Sequence, residues 1–169
     1  MKNRQKENIK KRLKDKNTFF LKKKAVLSKI LKNDDMKLSI PCDDVTPSDD
    51  IPKIVSDLKE VLNFSDTGIG MSASQIGIYK KVFVIDPHKR KEYTTFINPI
   101  ITSEEGSETM QEGCLSYPDI FKEVKRASKI TVEYFNENFE KQIETFKGIT
   151  ARVILHEYDH LLGVCIVGK

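Results

Sequence analysis

Tryptophan is absent from this chain, and cysteine and histidine are scarce. Each of the latter occurs three times in 169 residues. Three widely spaced cysteines, Cys42, Cys114 and Cys165, make no disulfide framework and suit a reducing compartment. No apolar run approaches the roughly 20 residues of a membrane-spanning helix. Phe19-Phe20-Leu21 is too short to be the core of a secretory signal, so no membrane association is expected. Glycine and proline are also few, at eight and six, and 38% of residues are apolar, which excludes a low-complexity chain. The length suits one domain able to bury a sizeable core.

What is abundant is lysine, and it is unevenly placed. Up to Lys37 there are 14 Lys or Arg against 4 Asp or Glu, a net charge of +10 within a chain whose total is +4. Residues 1–37 read as a basic N-terminal leader, either helical or disordered, and residues 38–169 as one folded domain. Leu13, Phe20 and Leu27 are spaced by seven, with Ile30 and Leu31 beyond them, in a weak amphipathic helix pattern. Little serine and modest arginine make the leader a poor organelle transit peptide, and an anionic surface such as ribosomal RNA is its expected partner.

From Leu38 to Asp50 the chain is turn-rich, with Pro41 and Pro47. Asp49 or Asp50 can cap a helix with Pro52 in its first turn, and Ile51, Ile54, Val55, Leu58 and Leu62 define its apolar face to about Phe64. Strands are expected over Lys81 to Ile85 and Thr95 to Ile101. Ile120 to Phe135 and Phe139 to Phe146 are expected to pair as a hairpin around residues 136–138.

The last periodic stretch carries the chemistry. In GITARVILHEYDHLLG, Gly148 to Gly163, the residues Ile149, Val153, Ile154 and Leu161 recur at helical spacing. His156 and His160 then lie one turn apart and can share a metal ion. Glu157 is rotated about 100° from His156, beside such an ion rather than on it, where it can act as a base. Two buried, hydrogen-bonded histidines are the simpler alternative. A catalytic site needs a third protein ligand. The tail after His160 offers only Cys165, and upstream the candidates are His88, Cys42, Cys114 and many carboxylates.

EGCLS at Glu112 to Ser116, HEYDH at His156 to His160 and GIGMSASQIG at Gly68 to Gly77 together resemble, in order and spacing, the three motifs of peptide deformylase. The similarity runs from about Leu38 to about Val164. It implies Cys114, His156 and His160 as metal ligands, with Glu157 as general acid–base. Gln75 and the Leu115 N–H would stabilise the reacting oxygen. A strand from Ile69 through Gly70 to Met71 would lie along the substrate, and Ile69, Met110, Ile149 and Val153 would line a methionine pocket. The implied ion is Fe²⁺, with Zn²⁺, Ni²⁺ or Co²⁺ able to replace it, and the implied substrate is an N-formylmethionyl peptide. The implied fold is α+β, with antiparallel sheets wrapped around a central HExxH metal-binding helix and Cys114 presented from a loop or strand end.

Asp159 is a candidate support for a histidine, and Glu112 with Arg126 a candidate brace for the Cys114 loop. The sequence departs from the family pattern at Leu155, where glutamine is common, and at Ser72, where alanine is common. It also ends nine residues past His160, as short phage-encoded forms do. A monomer in the cytoplasm of a bacterial or phage-infected cell is expected. The rival readings are another HExxH metallopeptidase and a non-catalytic, metal-stabilised ribosome-binding module.

Overall fold

The computed structural model describes residues 2–33 and 35–169, with side chains described for residue 7 and from residue 11 onward. Met1 and Asp34, both within the expected leader, lie outside the described residues. The order of elements is α1 (Lys2–Leu27), α2 (Ile51–Phe64), β1 (Gly70–Ser72), β2 (Val82–Ile85), β3 (Thr94–Glu105), β4 (Glu108–Cys114), β5 (Tyr117–Arg126), β6 (Lys129–Phe135), β7 (Lys141–Lys147) and α3 (Gly148–Leu161). The fold is α+β with antiparallel sheets. Five strands pair in the order β1-β2-β3-β6-β7, and β4 with β5 forms a separate hairpin.

The five-stranded sheet is a middle layer. Successive strand side chains point to opposite faces. Val82 and Val84 of β2 join Ile54, Val55, Leu58 and Val61 of α2 in one core cluster. Phe83 and Ile85 point the other way and join Phe96, Val132 and, from α3, Ala151, Ile154 and Leu155. That is why β2 is buried at every position rather than alternating. Each fully buried Leu, Ile or Phe contributes about 1.5–3 kcal/mol relative to exposure. Helix α2 begins as its sequence predicts: the Asp50 side chain accepts from the Lys53 N–H, and Pro52 lies in the first turn.

Three expectations need correction. The stretch 120–135 is two strands, because the chain changes partner at Ala127 and Ser128. Strand β5 pairs with β4, while β6 pairs with β3 and β7. Alternation is blind to a change of partner. The seven-residue pattern in α1 does not mark a buried face, since Leu13 and Phe20 are 61% and 64% exposed. The packed body also starts before Leu38: Val26 and Ile30 are 4% exposed and belong to the α2 core. Residues 31–33 run across the hairpin end, where the Leu31 N–H donates to Gln75 O at 2.8 Å and the Asn33 N–H to Ser116 O at 2.7 Å.

Candidate metal centre

Helix α3 has one side on the sheet and turns the other to the β4–β5 hairpin. His156 and His160 are one turn apart, their ring centroids 5.1 Å from one another. Cys114 ends β4 at a register break: Gly113 is opposite Phe121, but Cys114 is opposite Tyr117, so the chain turns sharply through Leu115 and Ser116. The turn aims the thiol at the helix, with Cys114 Sγ 3.3 Å from His160 Nε2. One ligand atom from each of Cys114, His156 and His160 lies within 4.8 Å of the others. A thiolate and two imidazoles are the donor set that suits zinc or iron, and three such ligands leave a tetrahedral ion one open position. The residues therefore fit a divalent ion. The other third-ligand candidates separate from the site. His88 is exposed in a turn, Cys42 packs in the second core cluster, and Cys165 Sγ lies 3.9 Å from His160 Nδ1, the ring nitrogen that faces away from Cys114.

The surroundings hold the histidines. His156 Nδ1 is 3.0 Å from Glu112 Oε2. Arg126 grips both oxygens of Glu112, at 2.6 and 2.9 Å, and Arg152 Nη1 donates to Oε1 at 2.7 Å. Burial would raise the Glu112 pKa, but hydrogen bonds from His156 and Arg126 outweigh it and hold it at about 2. Burial pushes His160 down to about 3, aided by the charges of His156 and Arg126, so its imidazole is neutral. Burial also acts to lower His156, but hydrogen bonds to Cys114 and Glu112 outweigh it and raise the pKa. Glu112 and Arg126 pair as the sequence reading suggested. Asp159 instead pairs with Arg126 and Lys169, at 2.8 and 3.1 Å, and supports no histidine directly.

Glu157 is 4% exposed, and burial raises its pKa. A Cβ on Gly70 would collide with Glu157 Oε1, so the close approach of β1 to the carboxylate requires glycine there. Gln75 accepts the Ser72 N–H on Oε1 at 2.9 Å, which turns its Nε2 toward Ser116 Oγ at 3.1 Å and Cys114 Sγ at 3.5 Å. A cleft of about 540 Å³ opens beside these groups. Ile69, Gly70, Gln75, Met110, Cys114, Leu115, Ile149, Val153, His156 and Glu157 all line it, while His160 lies behind.

The polypeptide deformylase family model matches residues 27–169. The chain belongs to the polypeptide deformylase family. Membership makes it an enzyme, and the family match begins within the stretch expected as leader, where Val26 and Ile30 enter the core. Peptide deformylase of Pseudothermotoga lettingae is 44% identical over 115 residues, 68% of this chain and 65% of that protein. Peptide deformylase 1 of Clostridium perfringens is 39% identical, covering 80% of this chain and 92% of its own. The crystal structure of the Thermotoga maritima peptide deformylase superposes with a TM-score of 0.78 at 36% identity, over 83% of this chain and 95% of that one.

Sequence reasoning missed Arg152 and Lys32 and gave Ser72 no role. Arg152 donates to the Val124 and Glu108 carbonyls, at 2.9 and 2.6 Å, besides Glu112. Lys32 Nζ donates to Leu115 O and lines the cleft. The Ser72 hydroxyl touches Glu157. None of these partnerships has a signal in local spacing, because each joins segments at least 28 residues apart.

Proposed function

We propose that this chain removes the N-formyl group from the methionine that begins a new peptide, releasing formate and a free amine. The observation that carries the reading is the Cys114, His156 and His160 cluster, within 4.8 Å, with Glu157 next to it in the cleft of a deformylase-family fold. Bound there, a divalent ion would polarise the formyl oxygen and lower the pKa of a water toward about 7. We assign Fe²⁺ to this site, with Zn²⁺, Ni²⁺ and Co²⁺ able to fill the same donors.

The residues divide the work. Glu157, buried beside the cleft, takes a proton from the attacking water and returns it to the departing amine nitrogen. As the carbon–nitrogen bond breaks, formate leaves from one side and the peptide amine from the other. Negative charge that builds on the formyl oxygen is met by the Leu115 N–H and by Gln75 Nε2, whose direction its other end fixes. One such donor is worth about 3–4 kcal/mol in the transition state. Ile69, Met110, Ile149 and Val153 give the methionine side chain an apolar wall. Gly70 offers backbone to the peptide at a point where a side chain would displace the base.

Formate release from a short N-formylmethionyl peptide, measured without oxygen alongside metal content, tests this. Turnover is expected in the native protein and its loss in Glu157→Ala with metal retained. A native protein that is metal-loaded, cleaves unformylated peptides and leaves formyl groups intact would overturn it.

The basic stretch supports a second assignment: α1 attaches the monomeric enzyme to ribosomal RNA in the cytoplasm. No helix among the described residues is long and apolar enough to cross a membrane. Cosedimentation with ribosomes is expected to weaken sharply as salt rises. Equal cosedimentation after Lys11, Arg12, Lys14 and Lys16 are changed to glutamine would discard it.

A further inference from the structure

The hydroxyl of Ser72 is fully buried at the end of β1, with Oγ 2.9 Å from Glu157 Oε2 and 2.9 Å from the Glu157 backbone oxygen. A hydroxyl has one proton to give. The backbone oxygen lies within α3, whereas the carboxylate, when ionised, makes the stronger bond. Among the described residues no other side chain hydrogen-bonds this carboxylate. The same residue's N–H donates to Gln75 Oε1. Residues 70 and 72 share one side of the strand. Gly70 leaves room for Oε1 at the cleft, and Ser72 holds Oε2 behind it.

We propose that Ser72 is a positioning residue that sets the Glu157 carboxylate through its hydroxyl and the Gln75 amide through its N–H. This rests on the deformylase reading of the site. The glutamine bond comes from the backbone N–H and survives Ser72→Ala and Ser72→Gly, so the hydroxyl can be tested apart from it. Without it, Glu157 turns about its terminal torsion, and the oxygen that must reach both the water and the leaving amine is no longer fixed. The loss falls on the chemical step and leaves peptide binding untouched.

The experiment compares native protein, Ser72→Ala, Ser72→Gly, Glu157→Gln and Ser72→Ala with Glu157→Gln, all loaded with the same metal. Formate release, metal content and Tm are recorded for each. Loss of one hydrogen bond to a charged group predicts a kcat about tenfold lower in Ser72→Ala, with KM and metal content unchanged. With Glu157→Gln already present, Ser72→Ala should cost no further rate, since residues that act through one another are not additive. Should Ser72→Ala fold poorly, Ser72→Gly carries the same expectation. Unchanged kcat in either variant, or the same tenfold loss in the Glu157→Gln background, overturns the proposal. A native protein that releases no formate overturns the deformylase reading itself. Native turnover with an indifferent Ser72→Ala removes Ser72 alone.

Discussion

Glu112 divides its two oxygens among Arg126, Arg152 and His156, and all four side chains are buried or nearly so. Removing its charge leaves Arg126 only Asp159 and Arg152 only backbone carbonyls, and frees the far nitrogen of a ligand histidine. Glu112→Gln should therefore cost about 3–5 kcal/mol of stability, read by chemical denaturation. It should also weaken metal affinity about 10- to 100-fold, read by chelator competition. A stability loss with intact affinity would confine Glu112 to the fold. Gly70 is the opposite case, a residue whose value is the atom it lacks. Gly70→Ala would push the Glu157 carboxylate aside, and kcat should fall about 100-fold while metal content holds. At this scale the sequence was most legible where chemistry follows from a local frame. His156, Glu157 and His160 were visible because four residues make a turn. Ser72 and Arg152 were not, because their partners are met only in the folded chain.

Helices α2 and α3 could be read because their apolar residues repeat with the turn of the helix and each end carries a capping residue or a glycine. Strand β4 could not: its first four residues are exposed, so it shows no inward-facing apolar set. Its hairpin holds together through the ladder to β5 and the buried cluster around Glu112, and a pattern search sees neither. The N-terminal stretch misled in the other direction, since charge dominated its reading: Ile30 stood in its apolar pattern and Val26 did not, yet both enter the core. Ile30→Ala should destabilise the protein by about 2–5 kcal/mol, as a core truncation does. Phe20→Ala, on exposed helix, should change stability by less than about 0.5 kcal/mol. Equal, small effects in urea unfolding would return residues 26–37 to the leader.

Cys114 is 42 positions from His156 in sequence, and the two approach only when the hairpin closes over α3 on the packed sheet. An unfolded chain offers an ion no such set, so binding the ion and folding draw on the same free energy. An ion at 100 times its dissociation constant adds about 2.7 kcal/mol to the folded state. For a chain of this length each kcal/mol moves Tm by about 2–4 °C, so the shift should be roughly 5–11 °C. Metal-stripped protein titrated with Zn²⁺ in a calorimeter should show it. Cys114→Ala should lose most of the shift. Cys165→Ala should keep it, because its sulfur sits behind His160 and reaches a nitrogen turned away from Cys114. The thiols offer an independent check on the same folded geometry. Burial pushes the Cys42 thiol up to about 11 and raises Cys165 as well, so neither should alkylate readily at pH 8. Cys114, half-buried at the cleft, should react in stripped protein and be shielded once Zn²⁺ is added. A Tm that rises equally in the Cys114→Ala variant would mean that the ion stabilises the molecule from some other place.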